Sequence, residues 1–299
     1  MPPQSTPHRD WPAALCEWYR REARDLPWRR AEFRETFGAW GTLVSEFMLQ
    51  QTPVARVIPH LDAWLQRWPT AAAMAAASPA EVVQQWANLG YPRRALWLHR
   101  AAVEIARQHG GVVPREVDAL LALSGIGEYT ARAVAVFAYG DRHPVVDTNT
   151  RRVLARVVEG HAQPSSPSRR DLVVMGSLLP PSDGESAVFN AATMELGATI
   201  CAARAPRCER CPLSMNCRWL AAGRPDTPDA RRRQAKYEGS DRQARGAVLR
   251  ALREAAPLPV PLAAVIPEWP DRLQRDRAID SLVADGLAEA ASDALSLPS

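Results

Sequence analysis

LALSGIGEYTARAVAVFAYG, residues 121–140, contains a short turn at Gly125 and Gly127 between two helical stretches. Glycine has no Cβ, so the chain can turn tightly there and leave backbone N–H groups uncovered. Leu123 and Ile126 are the apolar residues that a helix-hairpin-helix needs to hold its two helices together. The uncovered N–H groups, with the N-terminus of the second helix, predict a site for one nucleic-acid phosphate. For the two glycines alone, an ordinary tight turn is the alternative.

The segment HPVVDTNTRRVLARV, residues 143–157, follows this hairpin and places Asp147 at the start of a helix. The simplest role for Asp147 is an N-cap. A carboxylate at a helix N-terminus is kept ionised and oriented, which also suits it to stabilise a cation. The two roles are compatible.

Four cysteines follow one another closely as C-x6-C-x2-C-x5-C, namely Cys201, Cys208, Cys211 and Cys217. Their crowding predicts a metal site rather than a disulfide framework. The spacing matches neither paired zinc knuckles nor ferredoxin runs, so zinc and a [4Fe-4S] cluster both remain open. The fifth cysteine, Cys16, stands apart and is expected to be a small buried residue.

The 299-residue chain has 46% hydrophobic residues and a net charge of +4, which allows one or two domains and favours polyanionic partners without establishing them. No apolar run reaches the roughly 18 residues of a membrane span. The opening segment MPPQSTPHRDWP also lacks the apolar core of a signal peptide. We therefore expect a soluble cytoplasmic protein.

Short helices bounded by Pro, Gly or polar caps predict a mainly α fold, beginning with a helix over 11–23. Thr52 and Pro53 are expected to be the N-cap and first residue of a later helix. The Gly-, Pro- and charge-rich segment 223–238 predicts a linker. It would separate a domain at 1–222 from a small helical, winged-helix-like domain at 239–299.

The hairpin, the PVVDTNTRRVLAR segment and the cysteine loop after FNAATMELGATIC together resemble the helix-hairpin-helix DNA glycosylase superfamily. Within it, SEFMLQQTPVARVIP, ANLGYPRRALWLH and LPWR resemble the MutY-type adenine glycosylases. The resemblance covers about residues 11–222. It implies two helical subdomains, a six-helix barrel and a cluster-bearing part, with DNA in the cleft between them.

By this resemblance, Glu46 is the general acid and base. It lies in an otherwise apolar helix, and such surroundings are expected to raise its pKa so that it can hold a proton near neutral pH. A glutamate on a helix surface is the alternative. Glu46 would protonate N7 of adenine, and Asp147 would stabilise the oxocarbenium-like sugar until water completes hydrolysis. Asn149 would help to hold Asp147.

The target base must leave the stack before it can react. Gln51 and Tyr91 match the family's intercalating positions, while Trp28 and Arg29 match positions that line its adenine pocket. Core packing is the alternative for Tyr91, and a solvated arginine is the alternative for Arg29.

Tyr129 occupies the position at which bifunctional relatives carry a Schiff-base lysine. The chain contains one lysine, Lys236, so the sequence predicts a monofunctional hydrolase. Tyr129 would also suit a thymine or uracil glycosylase of the same superfamily.

The resemblance further implies a [4Fe-4S] cluster on the four clustered cysteines and double-stranded DNA with an A:8-oxoguanine or A:G mispair as the substrate. We expect a monomer at the bacterial nucleoid, with no membrane partner. Two positions depart from the family's pattern, Pro92 after Gly-Tyr and Ala191 after Phe-Asn. The segment 239–299 is too short for the MutT-like domain by which many relatives recognise 8-oxoguanine. A noncatalytic, cluster-bearing DNA-binding regulator is the competing class.

Overall fold

The computed structural model describes residues 11–225 and 236–299, and it is mainly helical, as the sequence predicts. Residues 1–10, and residues 226–235 within the predicted linker, lie outside the described residues. The helices are α1 Trp11–Glu22, α2 Ala31–Leu49, α3 Val54–Arg67, α4 Ala71–Ala75, α5 Pro79–Trp86, α6 Arg93–Gln108, α7 Val117–Leu121, α8 Glu128–Tyr139, α9 Thr148–Leu154, α10 Arg169–Leu178, α11 Asp183–Thr199, α12 Arg218–Ala221, α13 Asp241–Ala255 and α14 Arg272–Ala284.

The described chain forms two compact units. The first unit comprises residues 11–34, 115–118 and 127–225, and the second comprises residues 35–114, 119–126 and 236–299. Helices α2 and α7 contribute residues to both units.

The first unit is built around α1, α9 and α11, which share one apolar core. Trp11 and Phe189 meet edge to face in that core, with ring centroids 5.7 Å apart. Edge-to-face packing suits the quadrupoles of two aromatic rings. The core continues to Leu213 and Trp219, so the cysteine-bearing loop is anchored to the same helices.

The second unit contains α3 to α6, where Trp64 packs edge to face against both Trp68 and Trp86. Helix α5 begins with a capping box in which Ser78 and Glu81 satisfy each other's backbone N–H groups. The predicted cap before α3 is wrong by one residue. Pro53 is the N-cap, and the Thr52 side chain makes no cap hydrogen bond.

Residues 236–299 form a small module within the second unit. Its antiparallel sheet has the order β1-β3-β2, with strands β1 Val260–Pro261, β2 Glu289–Ala291 and β3 Ala294–Ser296. Two helices and a terminal hairpin agree with a winged-helix-like tail. The module shares a core with Val83 of α5 and Leu96 of α6. No helix in the described ranges is long and apolar enough to cross a membrane.

Candidate functional site

Asp147 is the N-cap of α9 and is held on both carboxylate oxygens. Its Oδ1 accepts a hydrogen bond from the Thr150 backbone N–H at 2.7 Å, and its Oδ2 accepts one from Asn149 Nδ2 at 2.7 Å. The predicted N-cap role is therefore confirmed. Because two donors orient it, the carboxylate has one defined direction.

Arg152 connects this carboxylate to the cysteine loop. Its guanidinium donates to Asn149 Oδ1 at 2.7 Å, to the Gly197 carbonyl at 2.6 Å and to the Cys201 carbonyl at 2.7 Å. Arg152 is only 7% exposed, so these bonds act in a place where water competes little. The orientation of Asp147 thus depends on α11 and on the backbone of a cysteine.

The close approach of α11 to α9 requires glycine at position 197. A Cβ built on Gly197 would lie 2.7 Å from both the Cβ and the carbonyl oxygen of Asn149. Real Cβ atoms do not approach that closely, so any side chain would push Asn149 away.

The four clustered cysteines line one pocket together with Arg156 and Trp219. Arg156 is 2% exposed, stacks on the Trp219 ring at 4.6 Å and donates to Cys201 Sγ at 3.4 Å. No group of three or more ligating side chains in the described ranges is arranged to hold a single metal ion.

Burial and, to a smaller extent, the neighbouring cysteines raise the pKa of Cys211 to about 12, although a backbone hydrogen bond at Leu213 opposes them. Burial raises the pKa of Cys217 as well. These thiols would stay protonated at neutral pH unless a bound metal stabilised their thiolates.

Arg29 is not a solvated arginine. Its Nη2 donates to Glu195 Oε2 at 2.8 Å, its Nη1 donates to the Arg24 carbonyl at 3.1 Å, and its guanidinium lies over the Tyr19 ring. Arg24 also binds Glu195, through two hydrogen bonds of 2.6 and 2.8 Å. Glu195 is 1% exposed, so one buried carboxylate fixes both arginines. The half-buried Trp28 precedes Arg29 in the turn Pro27–Arg29.

Glu46 is buried near the C-terminal end of α2, and its exposed fraction is 6%. Leu43, Val44, Phe47 and Met48 around it are fully buried. The helix-surface alternative is therefore wrong. Glu46 belongs to the second unit and Asp147 to the first.

Gln51 and Tyr91 lie on two separate loops of the second unit, both in the left-handed backbone region. Their φ angles are +56° and +47°, and Gly90 beside Tyr91 has φ +93°. Tyr91 is 49% exposed, so the core-packing alternative is also wrong. Non-glycine residues rarely adopt this conformation, and it tends to occur at functional loops.

The two hairpin glycines have different surroundings. Gly125 has φ +75°, and a Cβ there would lie 2.6 Å from the Cβ of Trp97. Gly127 is the N-cap of α8 and supplies no capping side chain, so the first turn of α8 lacks a side-chain acceptor from its cap. Tyr129, in that first turn, packs against the small core of Ala133, Val136 and Val145.

Charged residues that hold the site together were not identified from the sequence, namely Arg24, Arg94, Arg152, Arg156 and Glu195. The helical spacing of the sequence could have identified Arg94 as a buried residue. It shares its helix face with Leu98, Ala101 and Ile105, which are fully buried. An arginine on an apolar stripe indicates a buried cation with dedicated acceptors.

Comparisons with known proteins identify the family of the chain. Residues 44–174 match the family described as HhH-GPD superfamily base excision DNA repair protein. The chain is 56% identical to an adenine DNA glycosylase of Mycolicibacterium smegmatis over 94% of each chain. It is 44% identical to the adenine DNA glycosylase of Homo sapiens over 69% of this chain and 38% of the human protein. Its fold is similar to a thermostable thymine-DNA glycosylase, with a TM-score of 0.65, 26% identity, and coverage of 72% of this chain and 97% of that one.

Gly197→Ala is expected to lower the free energy of unfolding by about 1–3 kcal/mol, because the new methyl group overlaps Asn149. Urea denaturation measures the change. Gly176→Ala in α10 is the matched control, since its Cβ would meet only Pro144 at 4.0 Å. Equal effects of the two substitutions would contradict the close contact.

Glu195 should make folding stability depend on acid pH. Burial raises its pKa, but the hydrogen bonds and charges of Arg24 and Arg29 outweigh burial and lower it from 4.5 to about 2. A carboxylate whose pKa is lowered on folding contributes stability above its unfolded pKa and loses that contribution as the pH falls toward its folded pKa.

Glu195→Gln should therefore cost about 1.5–3 kcal/mol of stability at neutral pH, as expected for hydrogen bonds to a charged group. In urea denaturation, the difference from the unsubstituted protein should shrink as the pH falls from 4.5 toward 2. Asp25→Asn, which breaks the exposed pair with Arg30, is the control and should change little. If the stability loss of Glu195→Gln stayed constant between pH 4.5 and 2, the lowered pKa of Glu195 would be contradicted.

Proposed function

Because the chain belongs to the HhH-GPD superfamily of base excision DNA repair proteins, we propose that it hydrolyses the N-glycosidic bond of adenine mispaired with 8-oxoguanine or guanine. The chain is an adenine DNA glycosylase like its relatives. The observation that carries the proposal is the pair of contrasting carboxylates, Glu46 in an apolar helix and Asp147 at a hydrogen-bonded N-cap.

Their environments suit two different tasks. Adenine leaves readily only after its ring is protonated, and Glu46 would deliver that proton to N7. As the glycosidic bond lengthens, positive charge grows on the deoxyribose, and ionised Asp147 would stabilise it. Asn149 donates to Asp147 at 2.7 Å and so keeps one of its carboxylate oxygens oriented. Water then completes the hydrolysis.

Tyr129 favours a monofunctional reaction. A lysine at this position would form a Schiff base with the sugar and lead to strand cleavage. A phenol cannot form that imine, and Lys236 is the chain's single lysine. The proposed product is therefore an intact strand with an abasic site.

Four further groups would hold the DNA. The uncapped first turn of α8 at Gly127, with Gly125 before it, would bind one backbone phosphate. Tyr91 and Gln51 would fill the gap left by the extruded base.

Trp28 and Arg29 would line the adenine pocket. The ion pair of Arg29 with Glu195 keeps its guanidinium in a fixed position, which a pocket wall requires.

The cysteines fit a [4Fe-4S] cluster. Cys201, Cys208, Cys211 and Cys217 share one pocket, and four cysteine thiolates are the ligand set that such a cluster would take. When bound, the cluster supplies a rigid four-thiolate centre that ties the loop together. Arg156 would offset the negative charge of the thiolates from its position beside Cys201.

The substrate would be double-stranded chromosomal DNA at the nucleoid, bound by a monomer. The module at 239–299 carries seven arginines and nine acidic residues. An excess of acidic residues does not suit phosphate binding, which disfavours a noncatalytic regulator that recognises DNA through this module.

A thymine or uracil glycosylase remains the alternative within the superfamily, favoured by the similarity to the thymine-DNA glycosylase structure. Duplexes with A opposite 8-oxoguanine, A opposite G, and T or U opposite G separate the two. We expect adenine release, with strand breaks appearing only after alkali treatment. Release of thymine or uracil in preference to adenine would overturn the choice of base.

Glu46→Gln should lower the single-turnover rate of adenine release by about 10²–10⁴-fold, the usual contribution of a general acid, while leaving duplex affinity intact. Glu17→Gln, at an exposed glutamate of α1, is the matched control. Normal base release by Glu46→Gln would remove Glu46 from the mechanism.

The Cys208→Ser protein, purified anaerobically, should lack the iron, the sulfide and the visible absorption of the cluster. Cys16→Ser should keep them, since Cys16 is buried in the core of the first unit. Zinc in place of iron in the unsubstituted protein would contradict the cluster.

A further inference from the structure

We propose that Arg94 is a positioning residue that holds the loops of Gln51 and Tyr91 in the shape needed to extrude a base. The inference rests on the proposed glycosylase function and extends it to a residue that touches no substrate. Arg94 lies in the first turn of α6, and its exposed fraction is 3%.

One side of the Arg94 guanidinium binds the end of α2 and the Gln51 loop, residues 50–53. Nη1 donates to the carbonyl oxygens of Phe47, Met48 and Gln50 at 2.6, 3.0 and 2.6 Å. The last carbonyls of a helix have no partners within the helix, so the cation caps α2. Nη2 also donates to the Thr52 hydroxyl at 2.8 Å.

The same guanidinium binds the Tyr91 loop, residues 87–92. Nη2 donates to the Gly90 carbonyl at 3.0 Å, and Nε donates to the Tyr91 carbonyl at 3.4 Å. The guanidinium carbon also lies 5.4 Å from the centre of the Tyr91 ring, within the range of a cation–π contact. Arg94 thus joins two loops that are about forty residues apart in the chain.

Both loops need such support. Gln51 and Tyr91 have positive φ angles, and a strained backbone persists only where its surroundings fix it. Arg94 bonds to the Gln50 carbonyl and the Thr52 hydroxyl, on either side of Gln51, and to the carbonyls of Gly90 and Tyr91. The guanidinium therefore holds the backbone of Tyr91 directly and that of Gln51 through its two neighbours.

Only an arginine can make this arrangement. A guanidinium presents five N–H donors in a planar fork, whereas a lysine has three donors at one point. Burial lowers the pKa of Arg94 to about 10, which still leaves it charged at neutral pH.

The exposed Tyr91 ring would be inserted into the DNA duplex. A side chain inserted between bases must keep its position against the stacking of those bases. A loop that relaxed to ordinary φ angles would move both side chains. Losing Arg94 should therefore impair extrusion more than the later bond cleavage.

The experiment compares Arg94→Lys with Arg253→Lys. Arg253 is a matched control because it is half-buried in the second unit, has a pKa lowered to about 10 by burial, and donates to the Val83 carbonyl within α5 rather than to a carbonyl of either loop. Extrusion is followed by the fluorescence of a 2-aminopurine placed beside a target adenosine whose 2′-fluorine prevents hydrolysis. Adenine release from the natural nucleotide is measured under single-turnover conditions across the pH range.

We expect Arg94→Lys to slow the fluorescence rise on the order of a hundredfold, the size of effect that small misplacements produce. Adenine release should slow in parallel and keep its pH profile, while Arg253→Lys should behave like the unsubstituted protein. A normal fluorescence rise with slow release or an altered pH profile would overturn the proposal, because Arg94 would then act through Glu46 on the helix that it caps. Equal losses in both variants would reduce Arg94 to a general structural role.

Thr52→Val provides a second measurement if Arg94→Lys does not fold, since it removes one acceptor at nearly constant volume. It should slow extrusion in the same direction by a smaller factor, and an unchanged rate would count against the proposal. The same measurements test the proposed function separately. If the unsubstituted protein extruded the base but never released adenine, the proposed reaction would be wrong, but the proposed role of Arg94 would not be contradicted.

Discussion

Buried guanidinium groups that donate to backbone carbonyls constrain several of the candidate functional segments. Arg94, Arg152 and Arg156 are at most 7% exposed, and each donates to two or more carbonyl oxygens. A buried cation is strongly destabilising unless its donors are satisfied. The carbonyls must therefore converge on it, and this requirement fixes the backbone around Gln51, Tyr91, Asp147 and the cysteine loop.

This constraint explains how irregular backbone can hold candidate functional side chains in place. Loops and helix ends leave carbonyl groups unpaired, and leaving them buried without donors would be costly. In the Gln51 and Tyr91 loops, the carbonyl oxygens of Gln50 and Gly90 accept hydrogen bonds from Arg94 instead of from a regular helix or strand. The cysteine loop recovers part of its hydrogen bonding from Arg156, which donates to the Ala202 carbonyl at 2.8 Å.

Patterns that depend on local spacing were predicted well from the sequence. The N-cap at Asp147, its contact with Asn149 and the burial of Glu46 all follow from residues close together in the chain. The family resemblance added roles for these residues that neighbouring positions alone do not supply. Thr52 was misassigned as a cap because its hydroxyl accepts from Arg94, which is 42 residues away.

The contacts that escaped prediction are long-range. Glu195 meets Arg24 across 171 residues, and Arg152 meets the Cys201 carbonyl across 49. Each of the charged residues has a plausible surface role when its own segment of the chain is considered alone. A buried charge is recognised only when its partners are known, and the sequence does not show which distant carbonyls or carboxylates will converge.

The C-terminal module is connected to this arrangement through α6. Leu96 lies in the module's core two residues after Arg94, and Arg93 pairs with Asp285 of the module at 3.3 Å. Arg253 of α13 binds the Val83 carbonyl of α5, the helix that precedes the Tyr91 loop. The contacts of Leu96 and Arg93 brace α6, which begins directly after the Tyr91 loop, whereas the contact of Arg253 lies within α5. With seven arginines and nine acidic residues, the module is better suited to support α6 than to bind DNA phosphates.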